Sequence, residues 1–174
     1  MNEDSILVNK KILVVDDEID ILETIEELLS TCLVDTASTF EDAMQLLKTN
    51  TYDVAILDIM GVNGYDLLKV TNKLGILSMM FTAHALTPEH LKNSIEQEAD
   101  AYVPKDMLAD IPLYVADLLH AKKAGKTVHL KWFSLLKPVF DKLFGEDWRK
   151  KDKEFWDEFD IKQLSSRDDI QKME

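Results

Sequence analysis

The chain has 174 residues, 46% hydrophobic and 30% charged, which excludes a disordered protein and suffices for one domain of ordinary size with an extension. Its single cysteine, Cys32, excludes an internal disulfide framework, and no apolar run approaches the ~20 residues of a membrane span. The net charge of −13 is uneven: residues 1–120 carry 7 basic and 22 acidic side chains (−15), residues 121–174 carry 13 and 11 (+2), so the larger part repels nucleic acid, whose binding rests on phosphate neutralisation.

The stretch Met1–Asn9 is short and holds Glu3 and Asp4, so it does not read as a secretory signal. Together with the lone cysteine this points to the cytoplasm. Lys11-Ile12-Leu13-Val14-Val15 is an apolar, β-branched run that stops at Asp16-Asp17, the pattern of a buried parallel strand. From Glu18 the period changes. Ile21, Leu22, Ile25, Leu28 and Leu29 share one helical face, with Glu23, Glu26 and Glu27 opposite. A short strand is predicted at Leu33–Thr36, then a helix capped by Ser38 or Thr39 whose stripe is Phe40, Ala43, Met44 and Leu47.

A third strand runs from Asp53 to Leu57 and ends at Asp58. Gly61 and Gly64 interrupt the chain before a helix from Tyr65 to Leu74. The fourth strand, Ile76–Phe81, ends at Thr82. Thr87-Pro88-Glu89 supplies a hydroxyl cap, a first-turn proline and an acid for the fourth helix. A fifth strand, Ala101–Val103, ends near Lys105, and a fifth helix is predicted over Leu108–His120 with Pro112 near its first turn.

Strands alternating with helices five times imply a parallel sheet covered on both faces. Ligands bind such sheets at the carboxyl ends of the strands. Asp16, Asp17, Asp58, Thr82 and Lys105 all fall there. Three close carboxylates repel one another and call for a cation. Oxygen ligands with open positions suit Mg²⁺, a carboxylate can act as a nucleophile toward phosphorus, and a hydroxyl with an ammonium can neutralise a phosphoryl group.

The blocks KILVVDDE, DVAILDIM, MMFTAHAL and AYVPKDM, in this order and spacing, resemble the signature of the receiver domain of two-component response regulators. The resemblance implies a CheY-like (flavodoxin-like) doubly wound α/β fold with strand order 2-1-3-4-5 over residues 1–121. Residues 122–174 are left as a helical extension. It implies Asp58 as phosphoacceptor, and Mg²⁺ held by Asp17, Asp58 and the carbonyl of Met60, with Asp16 assisting. Thr82, Ala83 and Lys105 would contact the phosphoryl group, and Tyr102 is the aromatic switch position. Met60 and His84 stand where the lifetime of the phosphoryl group is tuned. The implied partners are a sensor histidine kinase or phosphotransfer protein, and a downstream protein on the face of the fourth helix, fifth strand and fifth helix or on the C-terminal helices. Homodimerisation is a further expectation. The implied chemistry is self-phosphorylation and self-dephosphorylation rather than turnover.

Two departures from the family pattern stand out. The loop Asp58-Ile59-Met60-Gly61-Val62-Asn63-Gly64 is shortened and lacks a proline, and Pro104 precedes Lys105 rather than following it. They motivate an alternative: a receiver-like interaction module that is not phosphorylated in use. No Walker glycine-lysine loop is present, and Asp58-Ile59-Met60 lacks the second acid of haloacid-dehalogenase-like phosphatases.

In the extension, Trp132, Leu135, Leu136, Val139, Phe140, Leu143 and Phe144 recur at helical spacing. Pro138 is expected to kink or begin that helix and Gly145 to end it. Trp148, Asp152, Phe155, Trp156 and Phe159 are read as one face of a second helix, polar and frayed from Ser165 onward. These aromatic faces suit packing on the main domain or a twin, docking of a partner, or a membrane surface. No helix-turn-helix with a basic recognition helix is visible.

Overall fold

The computed structural model describes residues 3–125 and 129–172, with the side chains of 5–125 and 132–162. The apolar runs form five strands, β1 (Lys11–Val15), β2 (Leu33–Ala37), β3 (Val54–Leu57), β4 (Leu77–Thr82) and β5 (Ala101–Pro104). All pairings are parallel, in the order β2-β1-β3-β4-β5, which is the expected CheY-like arrangement. Every residue of β3 and β4 is buried, because helices cover both faces of the sheet centre and leave no polar side to the strand. On the edge strand β2 burial alternates instead, and Leu33 faces solvent.

Helices α2 (Ile19–Leu28), α3 (Phe40–Thr49), α4 (Gly64–Lys73), α5 (Pro88–Glu96) and α6 (Ile111–Lys123) link and flank the strands. A short helix that the sequence pattern did not suggest, α1 (Glu3–Leu7), packs on α6. It buries Leu7, whose carbonyl accepts the Cys32 thiol at 3.2 Å. Of the two candidate caps of α3, Thr39 does the work: its Oγ1 accepts the Asp42 amide at 3.1 Å. Thr39→Ala leaves that amide without its partner and is expected to cost roughly 1 kcal/mol, seen as a lower urea midpoint at an unchanged m-value. An unchanged midpoint would show that water replaces the cap.

After β5 the chain makes a 3-10 turn, Lys105–Asp110, so α6 starts at Ile111 rather than at Leu108. Pro112 fits the first turn, where no intrahelical N–H is required.

The extension forms α7 (His129–Phe144), a turn, and α8 (Lys153–Lys172). Pro138 lies inside α7 rather than at its start, and Gly145 ends the helix with φ +89°. Trp148 stands in the connecting turn, not on α8 as the spacing suggested. It is nonetheless buried, because the turn folds it against Phe140, Phe144 and Trp156. Its indole N–H donates to Asp141 Oδ1 at 2.8 Å. The Arg149 guanidinium donates to Asp160 at 2.8 Å and lies 5.0 Å from the Trp156 ring. The backbone of α8 continues helically through Ser165 to Lys172.

The aromatic face of the extension packs on the sheet domain. α7 lies against β5 and α6, and the Phe140 ring sits 6.0 Å from that of Tyr102. The turn before α8 and the first turn of α8 reach α5: Lys92 pairs with Asp152 at 3.0 Å and passes 5.3 Å from the Phe155 ring, and Lys151 pairs with Glu89 at 3.2 Å. β5 is an edge strand, and a helix laid beside it protects an edge that could otherwise pair with another chain. The face expected to receive a downstream protein, now α5, β5 and α6, therefore carries the chain's own C-terminal helices.

Candidate functional site

β1 and β3 are neighbours, and both stop at the same rim. The in-register pair Val15 and Leu57 sets Asp16 and Asp58 side by side, each with 2% exposure. The Asp58 amide donates to the Val15 carbonyl at 3.0 Å and carries the sheet ladder up to the acid. Asp58 Oδ1 accepts the Ile59 amide at 2.8 Å. Its Oδ2 accepts from Lys105 at 2.9 Å. One oxygen is thus fixed by backbone and the other faces a cation, so the carboxylate is held in a single orientation.

Lys105 reaches in from the end of β5, past β4. Its ammonium lies 2.8 Å from Asp16 Oδ2, 2.8 Å from Glu18 Oε1 and 2.9 Å from Asp58 Oδ2. The proline before it does not misdirect the side chain: Pro104 has φ −64° and ψ 143°, an extended conformation that continues the strand. Burial works against the lysine's charge, but the hydrogen bonds to Asp16, Glu18 and Asp58 outweigh it and hold the ammonium above its ordinary pKa. Burial pushes Asp16 up, and the neighbouring Asp58 charge adds to this. The Lys105 hydrogen bond and the Glu18 amide, 2.9 Å from Asp16 Oδ1, pull the other way. Glu18 is held below its usual range by its bond to Lys105.

Glu18 was not singled out from the sequence. As the third residue of an acidic run at a helix start it reads as a complement to the helix dipole, and only the approach of Lys105 from β5 brings it into the site. Asp16, Asp17, Glu18 and Asp58 each present an oxygen, and these oxygens all lie within 4.8 Å of one another. Four clustered carboxylates, three of them on one ammonium, leave a strong negative excess. A hard divalent cation answers that excess, and an all-oxygen donor set with exposed members suits Mg²⁺. The residues present therefore fit the metal.

The loop after Asp58 is shaped by two glycines. Gly61 has φ +83°, and a Cβ there would sit 2.8 Å from Asp17 Cγ. The loop thus passes directly against the acidic cluster. Gly64 opens α4, and a Cβ there would overlap the Asp58 carbonyl oxygen and stand 2.8 Å from Ile59 Cα. Asn63 takes the left-handed conformation between them, φ 52°, which asparagine tolerates better than most residues. The side chain of Met60 points outward and is 51% exposed.

The remaining expected residues form a second tier. Thr82, at the end of β4, is fully buried, and its Oγ1 accepts the Ala85 amide at 3.3 Å. Ala83 and His84 lie on the exposed turn that follows. His84 contributes positive potential at Glu18. Tyr102 is not at the acidic pocket: its hydroxyl donates to the Ala85 carbonyl at 2.6 Å and its ring is buried.

Comparison with known proteins places this geometry in context. The family described as "Response regulator receiver domain" matches residues 12–112. Among solved structures, the chain is similar to a CheY-like response regulator receiver domain protein from Methanospirillum hungatei. The TM-score is 0.62 and the identity 26%, over 67% of this chain and 98% of that one. It is similar to the receiver domain of Francisella response regulator 1452, with TM-score 0.57 and 26% identity over 66% and 99%. It also resembles the BeF3-activated receiver domain of DrrB from Thermotoga maritima, with TM-score 0.54 and 27% identity over 67% and 97%. No curated protein matches.

Proposed function

Because the chain belongs to the response regulator receiver family, we propose that it takes a phosphoryl group from a phosphohistidine of a sensor kinase or phosphotransfer protein onto Asp58. The observation that carries this reading is the junction at Lys105 of Asp16, Glu18 and Asp58, drawn from two strand ends and a helix start onto one ammonium. A surface lysine with ordinary partners would not be buried among three acids. Asp17, Asp58 and the Met60 carbonyl would hold Mg²⁺, with Asp16 assisting. When bound, the ion supplies charge neutralisation for the transferring oxygens.

The protein's own residues account for the transfer. An Asp58 carboxylate oxygen forms the O–P bond as the P–N bond of the donor breaks, and the leaving imidazole nitrogen takes a proton from water. The Ile59 amide keeps the carboxylate from rotating. Lys105 is poised to exchange contacts with acids for contacts with phosphoryl oxygens, which gather negative charge in the transition state. Thr82 and the Ala83 amide would bind the remaining oxygens. Met60 and His84, both exposed beside the pocket, would govern how readily water reaches the acyl phosphate.

Incubation with Mg²⁺ and acetyl phosphate, followed by intact mass measurement, tests the reading. A metal-dependent phosphoryl adduct absent in Asp58→Ala is the expected result. No adduct in a folded protein that also fails to bind beryllofluoride would overturn it in favour of an interaction module that keeps the receiver fold without the chemistry.

A further inference from the structure

The loop from Ile59 to Asn63 carries the Met60 carbonyl proposed to meet Mg²⁺, and it runs directly into α4. The placement of that helix therefore decides where the loop can lie. Ile59 and Val62 of the loop are buried, and so are Leu67 and Leu68 of α4. Apolar burial is strong but non-directional. It keeps α4 on the sheet domain without fixing the helix's rotation or its position along its own axis.

Direction comes from polar ties between α4 and α5. The Tyr65 hydroxyl, in the first turn of α4, lies 2.9 Å from His90 Nδ1 and 3.4 Å from Ser94 Oγ, and donates to the His90 carbonyl at 3.2 Å. With one hydrogen and two lone pairs it can serve all of these partners. Its ring stacks on the His90 imidazole, with 5.9 Å between centroids and 11° between planes. At the other end of α4, Asn72 Nδ2 donates to the Gln97 carbonyl at 2.8 Å. The ties stand about two helical turns apart, so they fix both the rotation and the position of α4. The base they rest on is firm. Leu91 and Ser94 of α5 are fully buried, and the His90 amide donates to the capping Thr87 Oγ1 at 3.1 Å.

We propose that Tyr65 is a positioning residue for the metal side of the pocket: its hydroxyl, anchored on His90 and Ser94, sets the first turn of α4 and, through Gly64, the loop that carries the Met60 carbonyl. The proposal rests on the reading of Asp17, Asp58 and Met60 as the Mg²⁺ site. Gly64 directly precedes Tyr65, and its amide donates to the Ile59 carbonyl at 3.1 Å, which closes the loop. Gly64 also packs so tightly on Asp58 that a Cβ would overlap the Asp58 carbonyl oxygen. A shift of the first turn of α4 is therefore passed to the backbone of Asp58 and to the loop. Gly61, where the loop passes against Asp17, moves with it. The shortened loop has no proline to stiffen it, and the tie from Tyr65 supplies that stiffness from outside.

The Mg²⁺ affinity of the full chain is measured by isothermal titration calorimetry for the wild type, Tyr65→Phe and Tyr52→Phe. Tyr65→Phe keeps the ring and its stacking but removes the hydroxyl. Its Mg²⁺ affinity is expected to fall about fivefold, the worth of one net hydrogen bond. Tyr52→Phe is the matched control. It also removes a tyrosine hydroxyl, one that donates to Asp35 Oδ2 at 2.7 Å, but it does so before β3, at the opposite end of that strand from Asp58. It is expected to bind Mg²⁺ as the wild type does, which separates positioning from loss of stability. In phosphorylation by acetyl phosphate, the Mg²⁺ concentration giving half the maximal rate is expected to rise by the same factor in Tyr65→Phe, with the rate at saturating Mg²⁺ unchanged. Wild-type Mg²⁺ affinity in Tyr65→Phe, or an equal loss in Tyr52→Phe, overturns the positioning role and leaves the metal reading standing. No Mg²⁺ binding by the wild type overturns the metal reading itself, and this proposal with it.

Discussion

Gly64→Ala is expected to disable the site without touching any of its charged groups. The new methyl would overlap the Asp58 carbonyl oxygen and come within 2.8 Å of the Asp58 carbonyl carbon and Ile59 Cα. All of these are backbone atoms, so no side-chain rotation can relieve the clash. The loop from Asp58 to Asn63 has to move. The Ile59 amide that holds Asp58 Oδ1 at 2.8 Å moves with it. The expected cost is roughly 3 kcal/mol, the upper range for a single substitution. Displacing a reacting group by about an ångström lowers its rate about a hundredfold. Urea unfolding and the rate of phosphoryl incorporation from acetyl phosphate measure the two effects. Wild-type values for both would mean that the loop does not approach Asp58 so closely.

Phe140→Ala is expected to be the most damaging change in the C-terminal helices. The ring is fully buried and is shared by α7, the turn at Trp148 and Tyr102 of β5. Deleting it removes its burial and leaves a cavity between parts that cannot collapse together, because Trp132 and Phe133 are held by their own ring contacts. A loss of about 3–5 kcal/mol follows from comparable core truncations. Phe140→Leu, which refills most of the volume, should lose much less. Urea denaturation followed by tryptophan emission distinguishes the two variants. A loss no larger for Ala than for Leu would show that the cluster does not depend on this ring.

The acidic site was legible because its residues sit at strand ends. Ile12–Val15 and Val54–Leu57 are continuous apolar runs, Leu77–Phe81 is one broken only by Ser78, and a run bounded by a polar residue marks both a buried strand and the side chain at its tip. Helix faces on the solvent side were legible for the same reason: α2 and α3 each bury one stripe. α6 was harder to delimit. Ile111, Tyr114, Val115, Ala116, Leu118 and Leu119 are all buried, because the helix packs against α1, α2 and α7. A helix buried on several sides has no polar face to set its period. The Thr71–Ser78 hydrogen bond, 2.6 Å inside the core, was invisible too, since each hydroxyl on its own reads as surface.

Residue order along the chain was enough to determine the alternation of strands and helices, the parallel sheet and the carboxylates at its rim, because those follow from local periodicity and from the few ways a covered parallel sheet can be wound. It was also enough to mark the C-terminal segment as helical and aromatic. Only the tertiary structure decided that Glu18 joins Asp16 and Asp58 on Lys105, that Trp148 packs from a turn, and that Phe140 rests on Tyr102. Those contacts join residues far apart in the chain. Which apolar surface an amphipathic helix covers depends on the shape and charge of the surface it meets, and neither is written in the helix itself.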